Sequence, residues 1–301
     1  MSRELKLATR GSALARWQTA QVAARLGGAV HEVIIETRGD IDQAPVLAGR
    51  MEKGFFTAEL ERALHEKSVD VAVHSLKDLP TIQPKGLCLG AVLERADPRD
   101  WLIVRRDAVD RSNAVPVKAG GRVGASSLRR MSLLRHHAPH LEPTPLRGNV
   151  PTRVRKLGEG QYEAIVLAAA GVSRLGIDLS AFEVFALTPT AWVPAPGQGT
   201  IAIQCREDDT EVRQRLAAIE HVESRRRIDA ERLMLQAFEA GCASPFGAFL
   251  AGAQLHIGEE RQGRFLVART ELSSPLTLEG AHRLLPTLSF QETHEAITQD
   301  L

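Results

Sequence analysis

Thr188-Pro189-Thr190-Ala191-Trp192-Val193-Pro194-Ala195-Pro196-Gly197-Gln198-Gly199 runs directly into Thr200-Ile201-Ala202-Ile203-Gln204. Three prolines and two glycines make the first part an extended linker. The apolar run after it reads as a strand. An earlier stretch, Arg95-Ala96-Asp97-Pro98-Arg99-Asp100, has the same linker texture. A chain that leaves one unit through the earlier stretch and comes back through the later one returns a strand to the unit it started in. Two lobes joined by such a double crossover form a hinged cleft.

Outward from this hinge, strand-like runs alternate with helix-like runs, the signature of an α/β fold with largely parallel sheets. The strand candidates are Leu5–Thr9, His31–Thr37, Val69–His74, Leu87–Leu93, Trp101–Arg105, Arg122–Ala125, Ala164–Ala168 and Thr200–Gln204. Ser12 is placed to cap a helix carrying Leu14, Trp17, Val22 and Leu26, and a second helix carries Phe56, Leu60, Ala63 and Leu64. Thr152 is read as the cap of a short helix that stops near Gly158. A long helix runs from Ser224 through Ile228, Leu235 and Phe238 to a stop at Gly241, followed by an Ala/Gly-rich, strand-like remainder. The expected organisation is a discontinuous first domain (1–96 and 197–217), a second (97–196), and a small α+β third domain (218–301).

The cleft has a chemical signature. Arginines follow one apolar run after another: Arg10, Arg38, Arg129, Arg130, Arg147, Arg153, Arg174 and Arg206. Ligands of open α/β sheets bind outside the carboxyl ends of the strands, and guanidinium grips carboxylate or phosphate with paired hydrogen bonds. The pattern implies a polyanion. Lys+Arg is 38 against Asp+Glu 37, a formal charge of +1. Backbone binding of nucleic acid calls for a clear basic excess, so a small multi-anionic ligand is the better fit. Aromatic residues, at 4%, are too few for base-stacking platforms.

Three cysteines, Cys88, Cys205 and Cys242, show no CxxC spacing, so neither a zinc site nor a disulfide framework is indicated. Their odd number fits a reducing compartment. With no apolar signal core and no run long enough to span a bilayer, a cytoplasmic protein without membrane attachment is expected.

Two strand-end segments concentrate reactive groups. His74-Ser75-Leu76-Lys77-Asp78-Leu79-Pro80 puts a carboxylate beside a lysine and near arginines. Nearby cations favour the ionised form of such a carboxylate, which can balance a cation or accept an N–H; the alternative is a plain Lys-Asp turn before proline. Gly124-Ala125-Ser126-Ser127-Leu128-Arg129-Arg130 sets hydroxyls and small residues at a helix start, where backbone N–H groups hold anions. His74 reads as a structural histidine and Arg225-Arg226-Arg227 as a solvated helix face. Cys242, beside the helix-stopping Gly241, is an attachment point, a nucleophile, or a buried inert thiol.

Taken together these segments resemble the porphobilinogen deaminase (hydroxymethylbilane synthase) family over nearly the whole chain. The resemblance rests on Ala8-Thr9-Arg10-Gly11-Ser12, Thr37-Arg38-Gly39-Asp40, His74 to Pro80, Ser126 to Arg130, Leu146-Arg147-Gly148-Asn149-Val150, Gly197-Gln198-Gly199 and Glu239-Ala240-Gly241-Cys242, in the family's order. It implies two lobes like those of periplasmic binding proteins, with a third domain. It implies a dipyrromethane cofactor joined by a thioether to Cys242. It also implies stepwise condensation of four porphobilinogen molecules, each losing ammonia, into linear hydroxymethylbilane.

Asp78 matches the family's catalytic aspartate, whose carboxylate would stabilise a methylene-pyrrolenine cation. Ser75, Lys77, Ser126, Ser127, Arg129, Arg130, Arg147 and Arg153 match cofactor-binding positions. Arg10, Ser12, Gln18, Arg38, Lys53, Phe56, Arg174 and Arg206 match substrate-binding ones. The partners implied are porphobilinogen and the growing oligopyrrole, and the chain is expected to be a monomer. A cofactor and product of this kind carry about twelve carboxylates, and the eight strand-end arginines are a counterweight to them.

The chain departs from the family pattern at Met51-Glu52-Lys53-Gly54, where the family's loop is usually Gly-Gly-Lys-Gly. It departs also at Ala125, where threonine is common, and at Pro196. The rival reading is a non-catalytic two-lobed anion-binding or sensor protein, which accounts for the arginines but has no need of Asp78 or Cys242.

Overall fold

The computed structural model describes residues 3–38, 56–238, 245–293 and 295–301. Lys53, Glu239–Ser244 and the Met51–Gly54 departure lie outside the described residues.

In the first lobe β1 (Leu5–Thr9), β2 (Val30–Ile34), β3 (Val71–Ser75), β4 (Leu87–Val92) and the returning β10 (Ile201–Arg206) form one sheet in the order β2-β1-β3-β10-β4. The second sheet, ordered β14-β9-β5-β8-β6-β7, contains β5 (Asp100–Arg105), β6 (Arg122–Ala125), β7 (Glu142–Pro145), β8 (Ala164–Ala168), β9 (Phe182–Leu187) and β14 (Thr298–Asp300). A third, antiparallel sheet holds β11 (Phe246–Ala251), β12 (Gln254–Arg261) and β13 (Arg264–Glu271).

The first crossing delivers β5 and the second delivers β10, so the chain makes the double crossover read from its prolines and glycines. The expectation of largely parallel sheets is corrected. β10 runs antiparallel to β3 and β4, and β5 runs antiparallel to β8 and β9. The reason is geometric. A strand arriving from the other lobe starts at the edge where the parallel strands end: Ile201 stands opposite Ser75, and Asp100 opposite Ala168.

β7 and β9 were not foreseen. β7 contains two prolines and lies at the sheet edge, the one place where a strand tolerates missing N–H donors. β14 also departs from the expected third domain, because it pairs with β9 and covers that edge of the second sheet.

Helices flank the sheets: α1 (Ala13–Leu26), α2 (Ala58–His65), α3 (Leu128–His137), α4 (Val150–Gly158), α5 (Ala169–Arg174), α6 (Thr210–Ala217), α7 (Val222–Ala237) and α8 (Leu278–Leu284). Ser12 and Ser127 cap α1 and α3, each accepting an N–H in the first turn. The cap of α4 is Asn149 rather than Thr152. Its side chain accepts from the Thr152 N–H at 3.0 Å, and Pro151 occupies the first turn, where no donor is needed. Arg225, Arg226 and Arg227 are tied down more than a solvated face implies, by Glu220, Glu223 and backbone carbonyls.

Each unit has its own apolar core. Leu5, Leu7, Val22, Val71, Val73 and Ile203 fill the first lobe, and Leu102, Val104, Val123, Leu133, Val166 and Phe185 the second. Met234, Phe246, Leu250, Leu255 and Ile257 fill the third. The crossings are packed backbone to backbone. A Cβ on Gly199, whose φ is +90°, would stand 2.7 Å from the Ala96 carbonyl oxygen, so only glycine fits between the two strands of the hinge.

Candidate functional site

The segment after β3 turns because two leucines anchor it. Leu76 and Leu79 are buried with Val92, Ala202 and Ile228. The Leu76 N–H donates to the Thr200 carbonyl at 3.0 Å, and the Leu79 N–H to Leu76 at 3.0 Å. From α7, Arg232 donates to the carbonyls of Leu79 and Pro80. Between the anchors Lys77 is half-buried and Asp78 is exposed. A rigid turn thus presents an ammonium and a carboxylate at the lobe junction.

The second lobe meets them with cations. Burial pushes the Lys77 ammonium down to about 8; Arg130 adds to this, while Asp78 and Asp100 oppose it. Burial, then the neighbouring Arg130 and Arg147, hold Arg153 down to about 10, with Asp78 pulling the other way. Lys77 and Asp78 from the first lobe and Arg130, Arg147 and Arg153 from the second therefore share one electrostatic neighbourhood. Arg153 is oriented by donating to the Gly148 carbonyl at 2.7 Å, and Lys156 donates to the Arg147 carbonyl at 3.1 Å.

The serines sit where local structure fixes them. Ser75 exchanges hydrogen bonds with the buried Gln18 amide. Ser126 donates to the Leu146 carbonyl at 2.8 Å, and Ser12 and Ser127 accept from backbone N–H groups as caps. A capping hydroxyl keeps its own proton to donate.

Arg129 and Arg130, expected as cofactor-binding residues, are also engaged within the protein. Both are buried on α3, and both point at Asp100, the first residue of β5. Arg130 donates to Oδ1 at 2.7 Å and Arg129 to Oδ2 at 2.8 Å. Their remaining Nη groups donate to the Val166 and Val193 carbonyls. The Arg130 Nε is buried with no hydrogen-bond partner among the described residues. Asp100 also accepts from the Trp192 indole at 3.1 Å and the Gln198 amide at 2.8 Å. Burial alone would raise its carboxyl, but Arg130 and Arg129 hold it well below the usual carboxylate range.

Sequence reasoning missed this node, and it missed a second one attached to it. Arg95 makes a bidentate pair with the buried Glu231 at 2.6 and 3.0 Å and donates to the Gln198 carbonyl. Glu231 also accepts from the N–H groups of Gly197 and Leu250. Both crossings and the third sheet are thereby tied together. The signal was present: Arg95, Asp100 and Gln198 all belong to the two linker stretches.

The expected substrate residues divide. The Arg10 guanidinium lies 4.1 Å from the centre of the Phe56 ring, a cation–π contact just beyond β1. Arg38 is exposed, with its Nε 3.7 Å from Glu59. Arg174 donates to the Gly199 carbonyl at 2.6 Å and lies 5.6 Å from the Trp17 ring, bridging α5 to the hinge and to the first lobe. Burial holds it down to about 10.

Arg206 is a correction. It is buried within the first lobe, donating to the carbonyls of Leu64 and Val69 and to Asp209 at 2.7 Å. Because β10 runs antiparallel, its carboxyl end points away from the Ser75 edge, and Arg206 is a structural cation there. His74, read as a structural histidine, is buried, and burial pushes its imidazole down to about 4 against a side-chain hydrogen bond with Gln204.

Fold and geometry define a class: a two-lobed α/β protein with a third α+β unit, whose lobes bring one exposed carboxylate to a cluster of cations. A family model described as "Porphobilinogen deaminase, dipyromethane cofactor binding domain" matches residues 5–214. The porphobilinogen deaminase of Gloeobacter violaceus is 46% identical over 255 residues, covering 83% of this chain and 77% of that protein. The porphobilinogen deaminase of Syntrophus aciditrophicus is 44% identical over 253 residues, covering 81% of this chain and 80% of that protein. The chain belongs to the porphobilinogen deaminase family.

Proposed function

We infer that this chain is a transferase of tetrapyrrole and haem biosynthesis, condensing porphobilinogen with loss of ammonia into linear hydroxymethylbilane. The observation that carries the mechanism is the presentation of Lys77 and Asp78 on a leucine-anchored turn facing Arg130, Arg147 and Arg153.

Asp78 is the proposed catalytic carboxylate. Positive charge develops on the substrate as its aminomethyl group departs as ammonia. A fixed carboxylate accepting a pyrrole N–H is worth most in that transition state. Leu76, Leu79 and Arg232 fix the turn, so the carboxylate needs no reorganisation when the charge appears. Arg10 with Phe56, together with Ser12, Gln18, Arg38, Lys53 and Arg174, is proposed to hold the acetate and propionate groups of incoming and joined pyrroles. Arg174 also links ligand binding to the hinge through Gly199.

The residues fit a dipyrromethane cofactor. Ser75, Lys77, Ser126, Ser127, Arg129, Arg130, Arg147 and Arg153 are proposed to surround it, with charge from Lys77, Arg147 and Arg153 and donors from the Ser127 hydroxyl and the Arg130 Nε. Ser75, Ser126 and the Arg129 Nη groups already donate to Gln18, Leu146, Val193 and Asp100. The partnerless Arg130 Nε is the kind of buried donor that an anionic group would satisfy. When bound, this group supplies the pyrrole carbon to which the first substrate unit is joined. Cys242 is proposed as its covalent anchor. Cys242 itself lies outside the described residues, and the assignment rests on the match of Glu239-Ala240-Gly241-Cys242 to the family.

We also propose lobes of residues 1–96 with 197–217 and of 97–196, a third domain of 218–301 apart from β14, and a cytoplasmic monomer. Light scattering and cell fractionation check the last two. Intact mass tests the central reading. Protein from cells that make porphobilinogen should carry an added dipyrrole that maps to Cys242, and Cys242→Ser should fold without it. A wild-type chain that never acquires the group, or a loaded C242S chain, overturns the assignment.

A further inference from the structure

The strand pair β4–β10 holds two thiols that the reaction does not use. Cys88 and Cys205 are directly opposed in the antiparallel register, and their Sγ atoms are 3.6 Å apart. Opposed residues share a face of the sheet, with Cα atoms about 4.5–5.5 Å apart. That spacing lies within the about 4.4–6.8 Å that a disulfide spans. A bond between them therefore needs side-chain rotation and no displacement of either strand.

Local packing makes room for the pair. Gly90 is passed over where the register shifts, and a Cβ there would lie 2.8 Å from the Cys205 Sγ. The two environments also differ. Cys205 is fully buried, whereas Cys88 is half-buried and open to a small reagent.

We propose that Cys88 and Cys205 form a reversible dithiol–disulfide modification site, with Cys88 attacked first by a peroxide and Cys205 acting as the resolving thiol. The hydrogen bond from Cys205 brings the Cys88 thiol down to about 7, against the effect of its partial burial and with help from Arg213. Donating that bond, together with burial, pushes Cys205 up. The thiolate form is the nucleophile, so the half-exposed sulfur is the one prepared to react.

In the first step the Cys88 sulfur attacks hydrogen peroxide. An S–O bond forms, the O–O bond breaks, and hydroxide leaves to be protonated to water. Cys88 is then a sulfenic acid. Cys205 attacks that sulfur, the S–S bond forms, the S–O bond breaks, and a second water leaves with the Cys205 proton. Two thiols and one peroxide become one disulfide and two waters, and an external dithiol reverses the change by being oxidised in turn.

The bond would close a loop containing both crossings and the strands β5 to β9. It lies away from the Ser75–Ile201 edge, so turnover should survive while unfolding becomes harder. The test uses the full cofactor-loaded chain with a few equivalents of hydrogen peroxide. Wild type should lose the mass of two hydrogens and yield one cross-linked peptide joining Cys88 to Cys205. Its melting temperature should rise by several degrees, and dithiothreitol should reverse both changes. Cys205→Ser should stop at a Cys88 sulfenic acid trapped by dimedone, and Cys88→Ser should leave Cys205 unmodified. Both variants should keep the activity of the reduced enzyme. Alkylatable thiols at both positions after peroxide, Cys88 converted to sulfinic acid in wild type, a link to Cys242, or oxidation of Cys205 in C88S would each overturn the proposal.

Discussion

Two aspartates stand where the lobes meet, and their surroundings differ in nearly every respect. Asp100 is fully buried and accepts from Arg129, Arg130, Trp192 and Gln198. Asp78 is exposed on a short turn held by leucines and faces cations across the junction. The first carboxylate has its charge balanced within the protein, and removing a partner leaves buried charge behind. The second has room for a partner that comes and goes. Buried, saturated charge builds the hinge; exposed charge on a fixed turn remains open to a ligand.

The comparison breaks most directly at Asp78. Asp78→Ala should lower turnover about 10²–10³-fold, the scale for loss of one preorganised electrostatic group. Its melting temperature should stay near that of wild type. Product formation and a thermal melt on the same preparation check both, and near-normal turnover would remove Asp78 from the reaction. Asp100→Ala should do the reverse. It strands two buried guanidinium groups, and breaking a buried pair costs about 3–5 kcal/mol. A large drop in denaturant midpoint is expected. A D100A protein as stable as wild type would mean that Arg129 and Arg130 find other partners.

Arg206 sharpens the same contrast. Read from the string as a ligand grip, it behaves in the structure like the Asp100 cluster, with its donors spent on Leu64, Val69 and Asp209. Arg206→Ala should cost about 2–3 kcal/mol of stability through unsatisfied buried acceptors. KM for porphobilinogen should not change. A raised KM in a stable R206A protein would restore the substrate role.

These cases mark what was legible in the sequence. Prolines and glycines from Thr188 to Gly199 disclosed the second crossing because backbone breakers act locally. The turn from His74 to Pro80 was legible for the same reason. Arg206 was misplaced because the rule for strand ends holds for parallel strands, and nothing in Ile201–Gln204 states that the strand is reversed. The string marks Arg129 and Arg130 as cofactor-binding positions but does not disclose Asp100 as their shared partner, because it lies 29 and 30 residues away. The edge strand Glu142–Pro145 was hidden by its own prolines. Local chemistry could be read along the chain, whereas the pairing that decides whether a charge is spent depends on the fold.

The smallest effect concerns Lys77, which lies between the two kinds of charge: half-buried, yet facing the junction. Its ammonium sits at about 8 because burial and Arg130 outweigh Asp78 and Asp100. The protonated form binds carboxylates, and its fraction falls from about nine-tenths at pH 7 to about one-tenth at pH 9. Porphobilinogen kcat/KM, which reports the free enzyme, should therefore fall by up to about tenfold over that range. Stability should move oppositely. Between about 8 and the unfolded value of about 10.4 the unfolded chain binds more protons, so folding gains as pH rises. Lys77→Arg keeps its charge throughout and should flatten both profiles. If the fall in kcat/KM persists unchanged in K77R, another group carries it, and Lys77 belongs with the buried structural charges rather than with Asp78.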